Sequence, residues 1–254
     1  MKKGRARRNT ANIGCHRANR AENGAAVTSL SQEQDDGSAA EAEVEAHAAA
    51  RFIGFSDAVI AIAITLLALA LPVPGGARGL TDGQFLNALR ADWSDYLNFL
   101  ISFVVIGRHW ASHRALTRYV WALNGIFTRL NMLWLLTMIL TPFATRLLSS
   151  SGGFGVRFAV YALIQVIATA SLLLMNREVV RGNLLRPDAP ERARHPDTVP
   201  FLAICIMFAL SIPVAFATDT VWPYVVWMAS PLAARGIRRL QARERRVPDG
   251  DTPE

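Results

Sequence analysis

Cysteine is nearly absent from this chain. Cys15 lies in a charged tail and Cys205 in an apolar run, so no disulfide framework is available. Acids are missing from residues 1–20, which hold seven Lys or Arg, and bases from residues 21–50, which hold seven acids. Large apolar side chains are scarce in those same fifty residues. A segment with so little to bury is predicted to be disordered, with a helix over 38–50 leading into the first apolar run. The basic start suits anionic lipid, but folding back onto its own acidic half is the simpler expectation. Asn12-Ile13-Gly14-Cys15 resembles a lipoprotein cleavage site without the apolar run that must precede one. Arg7-Arg8 has no apolar region close behind it. Neither kind of export signal is therefore expected.

Charge is also missing from several long runs, and this sets the class. The chain has 254 residues, 52% of them hydrophobic, yet its mean hydropathy is only +0.23 because charge is concentrated in the tails. A bilayer crossing takes about 20 apolar residues. Six candidates are read: Phe52–Leu71, Tyr96–Ser112, Asn124–Leu148, Val156–Asn176, Val199–Ala217 and Val221–Ala234. The last, at 14 residues, also fits a re-entrant or interfacial helix. Pro213 is expected to kink the fifth. Pro72-Val73-Pro74-Gly75-Gly76 predicts a stop and then a loop, with Asp92 to Asp95 leading into the second span. The domain reading is a tail over 1–50, a membrane domain over 51–236 and a charged tail over 237–254.

The basic residues fall on alternate connections. Arg108 stands at the end of the second span with Arg114 and Arg118 after it, five Arg come after the fourth, and six lie between residue 235 and the end. The opposite connections hold Arg78 and Arg90, Arg146 and Arg157, and none. Six spans with both termini in the cytoplasm place every basic segment on one side, as the positive-inside rule requires.

The first span carries a single charge, Asp57. A carboxylate inside a spanning helix costs about 2.5–3.5 kcal/mol on insertion scales, whereas each Leu or Ile returns only ~0.3–0.6 kcal/mol. The acid must therefore find a partner and face protein or water. On a helical wheel Phe55, Val59, Ile62, Leu66 and Leu69 form an aliphatic stripe with Thr65 beside it. Asp57, Ala61, Ile64 and Ala68 lie on roughly the other side, where small residues admit a second helix. Periodicity alone leaves open whether the stripe meets lipid or a lumen.

Enzymatic motifs are lacking. His109 and His113 have the i, i+4 spacing of zinc-protease histidines, but Trp110 stands where the general-base Glu is needed. Interfacial anchoring of the second span is the better reading. Asp57 and Asp219 do not make an aspartyl pair, because Asp219 lies in a short polar turn. No phosphate-binding loop, Ser/His/Asp set or Thr-Val-Gly-Tyr-Gly filter is present. No enzyme, cofactor, resident metal or nucleic-acid partner is expected.

Arg51-x-x-x-Phe55-Ser56-Asp57, continued by Ala58-Val59-Ile60-Ala61-Ile62-Ala63-Ile64-Thr65-Leu66-Leu67, resembles the signature first helix of the transmembrane protein 175 family of endolysosomal potassium channels and their prokaryotic relatives. Trp110-x-x-His113-Arg114 is similar to its second span, and Asn131 with Pro142-Phe143-Ala144-Thr145 resembles its third. The likeness covers roughly residues 50–236. It implies an all-α membrane protein of six-helix repeats around a central pore lined by the first helix. The motif occurs once here, which implies a homotetramer. The resemblance further implies a main constriction at Ile62, further aliphatic rings at Leu66 and Leu69, and a polar position at Thr65. It also implies a polar network behind the pore helix, made by Arg51, Ser56, Asp57, Trp110 and His113. The Thr65 hydroxyl either serves an ion or bonds back to the Ala61 carbonyl.

The expected function is a passive potassium-permeable channel of the cytoplasmic membrane with a hydrophobic constriction, with protons an open second permeant. Two rivals stand beside it: a proton- or ion-coupled transporter using Asp57 and His113, and a membrane scaffold without transport.

Overall fold

In the computed structural model the described residues are 37, 40–69, 71–74, 79–150, 152–194, 198–218 and 227. By its contacts the chain divides into two units, Met1–Ala48 and Ala49–Glu254. In the first, His47 Nδ1 bonds the Glu43 carbonyl within one helical turn. The second holds the membrane helices. The elements are α1 (Ala40–Ala68), α2 (Asp82–Ala91), α3 (Trp93–Thr117), α4 (Gly125–Leu148), α5 (Phe154–Arg181), the short α6 (Glu191–Arg194) and α7 (Val199–Thr218).

Among the described residues four helices are long and apolar enough to cross a membrane: α1, α4, α5 and the stretch Phe201–Thr218 of α7. At 25 residues α3 is long enough too, but its composition is too polar to qualify. The physical reason is that α3 is built polar side inward. Asn98, Ser102, His109, His113 and Thr117 are buried, while Leu100, Phe103 and Val104 point outward. Water would reverse that arrangement; a hydrocarbon surround favours it. The sixth expected span, Val221–Ala234, lies outside the described residues except for Trp227, as do the tail over 237–254 and nearly all of the first forty residues.

Antiparallel packing comes from the ties between ends. Asn124 caps α4 by accepting from the Phe127 N–H at 2.8 Å, and its amide donates at 2.8 Å to the Glu178 carboxylate near the end of α5. The α3–α4 turn pairs with the segment after α5 through Trp121 N–H to the Leu184 carbonyl (3.1 Å) and Arg186 N–H to the Tyr119 carbonyl (3.0 Å). At the other end Arg157 donates to the carbonyls of Leu148, Ser150, Gly152 and Gly153, covering the unpaired C-terminal groups of α4 with a cation. There too, Tyr96 donates to the Pro72 carbonyl at 2.9 Å, which sets the end of α1 beside the start of α3.

The core is aliphatic and aromatic. Ile60 and Leu67 of α1 pack with Ile106, Phe127, Trp134, Met138, Leu172 and Met175. A second cluster joins Phe158, Tyr161 and Ala162 of α5 to Phe208 and Ala215 of α7 and to Trp227. Helix α7 runs through Pro213 as one element.

The connection after α1, expected as loop, contains α2. Thr81 and Gln84 form a reciprocal capping box that starts it, and Asp92 ends it and begins α3. None of its residues is buried, and Phe85, Leu86 and Leu89 are exposed. Such a helix is short and half apolar, and it suits a bilayer surface better than its interior.

Candidate functional site

The buried row of α1 is Ser56, Ile60, Ala63 and Leu67, none more than 1% exposed. These positions recur every three or four residues, so they form one face. The face expected from the helical wheel is thereby corrected. Ala61 and Ala68, expected in a packed interface, are exposed, and Asp57 and Ile64 sit at its margin. The small residue that admits the neighbouring helices is Ala63, flanked by large aliphatics that fill the core.

The stripe is uncovered within the chain except at Val59, which is half-buried against the core. Phe55 is 51% exposed, Ile62 58%, Leu66 46% and Leu69 80%, and Thr65 is exposed as well. At about 100° per residue, Ile62, Thr65 and Leu69 point most nearly away from the buried row, and Leu66 stands to one side. Only 22% of the most apolar stretch of α1 is buried, against 50% for α5. The Thr65 hydroxyl donates to the Ile62 carbonyl at 2.7 Å; of the two alternatives this is the back-bond, made to a carbonyl one residue on from Ala61.

Two polar links hold α1 in this rotation. In the first, Asn131 of α4 stands between α3 and α1. The Ser56 hydroxyl donates to the Phe52 carbonyl at 3.1 Å, so it must accept from Asn131 Nδ2, 2.9 Å away. That turns Asn131 Oδ1 toward His113 Nε2 at 2.9 Å, and His113 therefore donates from Nε2. Nδ1 of the same ring is buried without a hydrogen-bond partner, and the ring lies flat on Trp134, with centroids 4.3 Å apart and planes 8° apart. The direction of each bond is thus set by the next, and the proton on His113 is placed by a backbone carbonyl of α1.

The second link is shorter. Trp110 Nε1 donates to Asp57 Oδ1 at 3.0 Å, and the Arg114 guanidinium lies 5.4 Å above the Trp110 ring. The single acid of the span has found its partner on α3. Ser56, Asp57, Trp110 and His113 are therefore brought together in two separate links rather than one network. Arg51 is exposed at the start of the motif and stands outside both. Asn131 is the member that the expected set omitted. Its place in the motif of the third span was the available signal, since an amide inside a spanning helix must find partners on neighbouring helices.

The same bundle carries a second polar group further along. Thr145 donates to the Thr141 carbonyl at 2.8 Å and so accepts from Ser102, 2.7 Å away; Ser102 and Tyr161 share a hydrogen bond of 3.1 Å, and Gln165 reaches Thr141 Oγ1 at 3.3 Å. These side chains face protein and hold α3, α4 and α5 in register. Among the described residues no cluster of three or more His, Cys, Asp or Glu is placed to hold a metal ion.

The endosomal/lysosomal potassium channel TMEM175 family matches residues 51–142. That segment begins at Arg51 and takes in both links around Ser56 and Asp57. A potassium channel of Streptomyces collinus is 29% identical over 203 residues, covering 78% of this chain and 93% of the relative. A solved lysosomal potassium-selective channel TMEM175 homolog from Chamaesiphon minutus superposes with a TM-score of 0.50. It is 25% identical, and the match covers 72% of this chain and 98% of the other.

Over residues 51–142 the chain is similar to the TMEM175 family.

TMEM175 proteins are ion channels and not enzymes, which agrees with Trp110 standing in place of a catalytic Glu. The family match covers the membrane part of α1, then α2, α3 and most of α4, and stops at Pro142. The resemblance visible in the sequence reaches further, to about residue 236.

Proposed function

We propose that this protein is a potassium-permeable channel in which four copies turn the exposed stripe of α1 onto a common axis. The observation that carries the reading is the rotation of α1. Its own subunit covers Ser56, Ile60, Ala63 and Leu67 and leaves Ile62, Thr65, Leu66 and Leu69 uncovered. That face has no charge, so ions pass it without a strong binding site. Ile62 forms the main constriction, with Leu66 and Leu69 as further rings and Thr65 as a polar step between them. A ring of Ile side chains excludes water when narrow, and conduction is then controlled by wetting. Flux is passive, with potassium the principal ion and protons a second candidate. The channel sits in the cytoplasmic membrane with both termini inside. In support, the two connections tied together by Trp121–Leu184 and Arg186–Tyr119 are the Arg-rich ones.

Cross-linking tests the arrangement. Ile62→Cys should trap subunits across the axis on oxidation, whereas Cys placed at Ala61 or Ala68 should not trap them comparably. Equal trapping at all three positions would remove the pore assignment and favour a stripe that meets lipid.

Asp57 supports the pose and does not conduct. It ends on Trp110, and His113 ends on Asn131, so the two groups do not form a proton relay. Asp57→Ala is expected to impair assembly or opening. Asp57→Asn, which keeps an acceptor for the Trp110 N–H, should restore both. Size-exclusion profiles and potassium flux from liposomes check this; normal tetramers with normal flux from Asp57→Ala would show that the link is dispensable.

A further inference from the structure

A cleft of about 530 Å³ opens between α3, α5 and α7. Its walls are apolar along most of their length, including Leu100 and Val104 of α3, Leu172 of α5, and Ile204 and Phe208 of α7. One end is different. Arg108 and Ser112 line it from α3, and neither has a hydrogen-bond or ion-pair partner among the described residues. From Leu100 to Ser112 the helix rises about 18 Å, roughly half the length of α3. The site is thus a long hydrocarbon slot with a cation and a hydroxyl at one mouth.

An arginine within a spanning helix costs several kcal/mol unless it meets an anion or water. Asp57, the acid of the neighbouring layer, is already occupied by Trp110. Arg108 lies on the Arg-rich half of α3 and is not buried. Basic pockets between spanning helices on that side of a membrane are suited to anionic lipid headgroups. We infer that the cleft holds one acyl chain of an anionic phospholipid, with its phosphate on Arg108 and Ser112. The apolar walls take the chain, and the guanidinium supplies paired donors that match phosphate oxygens. The inference is independent of which ion the channel passes. A bound lipid there would wedge α3 from α7 behind the pore helix, so lipid composition would bear on how α1 is supported.

Native mass spectrometry of the full-length channel in phosphatidylglycerol and in phosphatidylcholine tests this. Phosphatidylglycerol should survive delipidation while phosphatidylcholine is stripped. Arg108→Gln should weaken phosphatidylglycerol retention about fivefold, the worth of one basic side chain near an anionic lipid surface. Val104→Trp should displace the chain by filling the slot, and it decides the matter alone if the Arg108 variant does not fold. Equal retention of the two lipids would overturn the assignment, as would unchanged retention in both variants or displacement by inorganic phosphate alone. So would an oxidative cross-link from Cys at Val104 to a neighbouring subunit, because a second copy would then fill the cleft.

Discussion

Ile62→Asn should raise potassium flux through reconstituted channels by about tenfold or more. In the proposed four-copy ring one substitution acts four times, and a barrier lowered by only ~1.4 kcal/mol already gives a factor of ten. Ile62 is 58% exposed within its own chain, so the substitution removes no core contact and introduces no buried polar group there. Folding should be unaffected, which separates a pore effect from loss of protein. A hydrophobic constriction blocks by making hydration of the narrow segment unfavourable, and an amide lets water stay. Leu66→Asn should act in the same direction but less strongly, because Leu66 stands to the side of the face opposite the buried row. The check is flux from potassium-loaded liposomes, with the amount of inserted protein measured independently. Unchanged flux at Ile62 together with raised flux at Leu66 would move the constriction one turn along. No change at either would remove the stripe from the pathway.

That the substitution can be benign for folding and large for transport reflects how α1 is made. The helix has three surfaces of distinct chemistry. Ser56, Ile60, Ala63 and Leu67 pack inward. The aliphatic stripe is flanked on one side by this row. The flank carrying Asp57 meets Trp110. In hydrocarbon, apolar packing alone discriminates poorly between rotations, because lipid tails satisfy Leu and Ile as well as protein does. Polar links do discriminate: a rotation that removes Asp57 from Trp110 or Ser56 from Asn131 leaves a polar group in an apolar medium.

Much of this is legible in the sequence, and the parts that are not share a cause. The limits of α4, α5 and α7 fall within a few residues of the apolar runs, because long runs bounded by Gly, Ser and Arg admit few alternatives. Helix α2 is not evident: the Pro72–Gly76 stop marks a turn, and Phe85, Leu86 and Leu89 beyond it are too few to register as an element. Thr81 with Gln84 is the local signal. The buried face of α1 is misread when size is taken as the guide. Ala61 and Ala68 are small, but Ile60 and Leu67 are the positions that neighbouring aromatic and aliphatic residues cover. A wheel gives the angles between residues but not which angle the rest of the protein occupies. Asn131 stands out in the sequence only as a motif position. Its role depends on standing between Ser56 and His113, which are 75 and 18 residues away along the chain.

Asn131 is where the largest loss of stability is expected. Asn131→Ala removes the acceptor of the His113 Nε2–H, a group buried against Trp134. A stranded buried donor costs about 1–3 kcal/mol, and the vacated side-chain volume adds to that. Hydrogen bonds between membrane helices average only ~0.6 kcal/mol when the partners can re-pair, and here the geometry leaves His113 nothing to re-pair with. A loss of about 2–4 kcal/mol per subunit is expected. Ser56→Ala should cost about 1 kcal/mol, since it strands one amide N–H. The double variant should cost less than the sum, because the two residues belong to one chain of donors. Thermal stability of the detergent-solubilised channel, tracked by the surviving tetramer peak, measures all three. Additive losses, or losses below ~0.5 kcal/mol throughout, would mean that this hydrogen-bonded chain does not hold α1 in place. Flux gives the second readout. The chain of bonds ends on the Phe52 carbonyl, so its loss frees α1 to turn about its own length and, in the proposed assembly, to carry Ile62 away from the common axis. Asn131→Ala should therefore change potassium flux even in tetramers that survive, a result that a purely local packing defect far from the stripe would not produce.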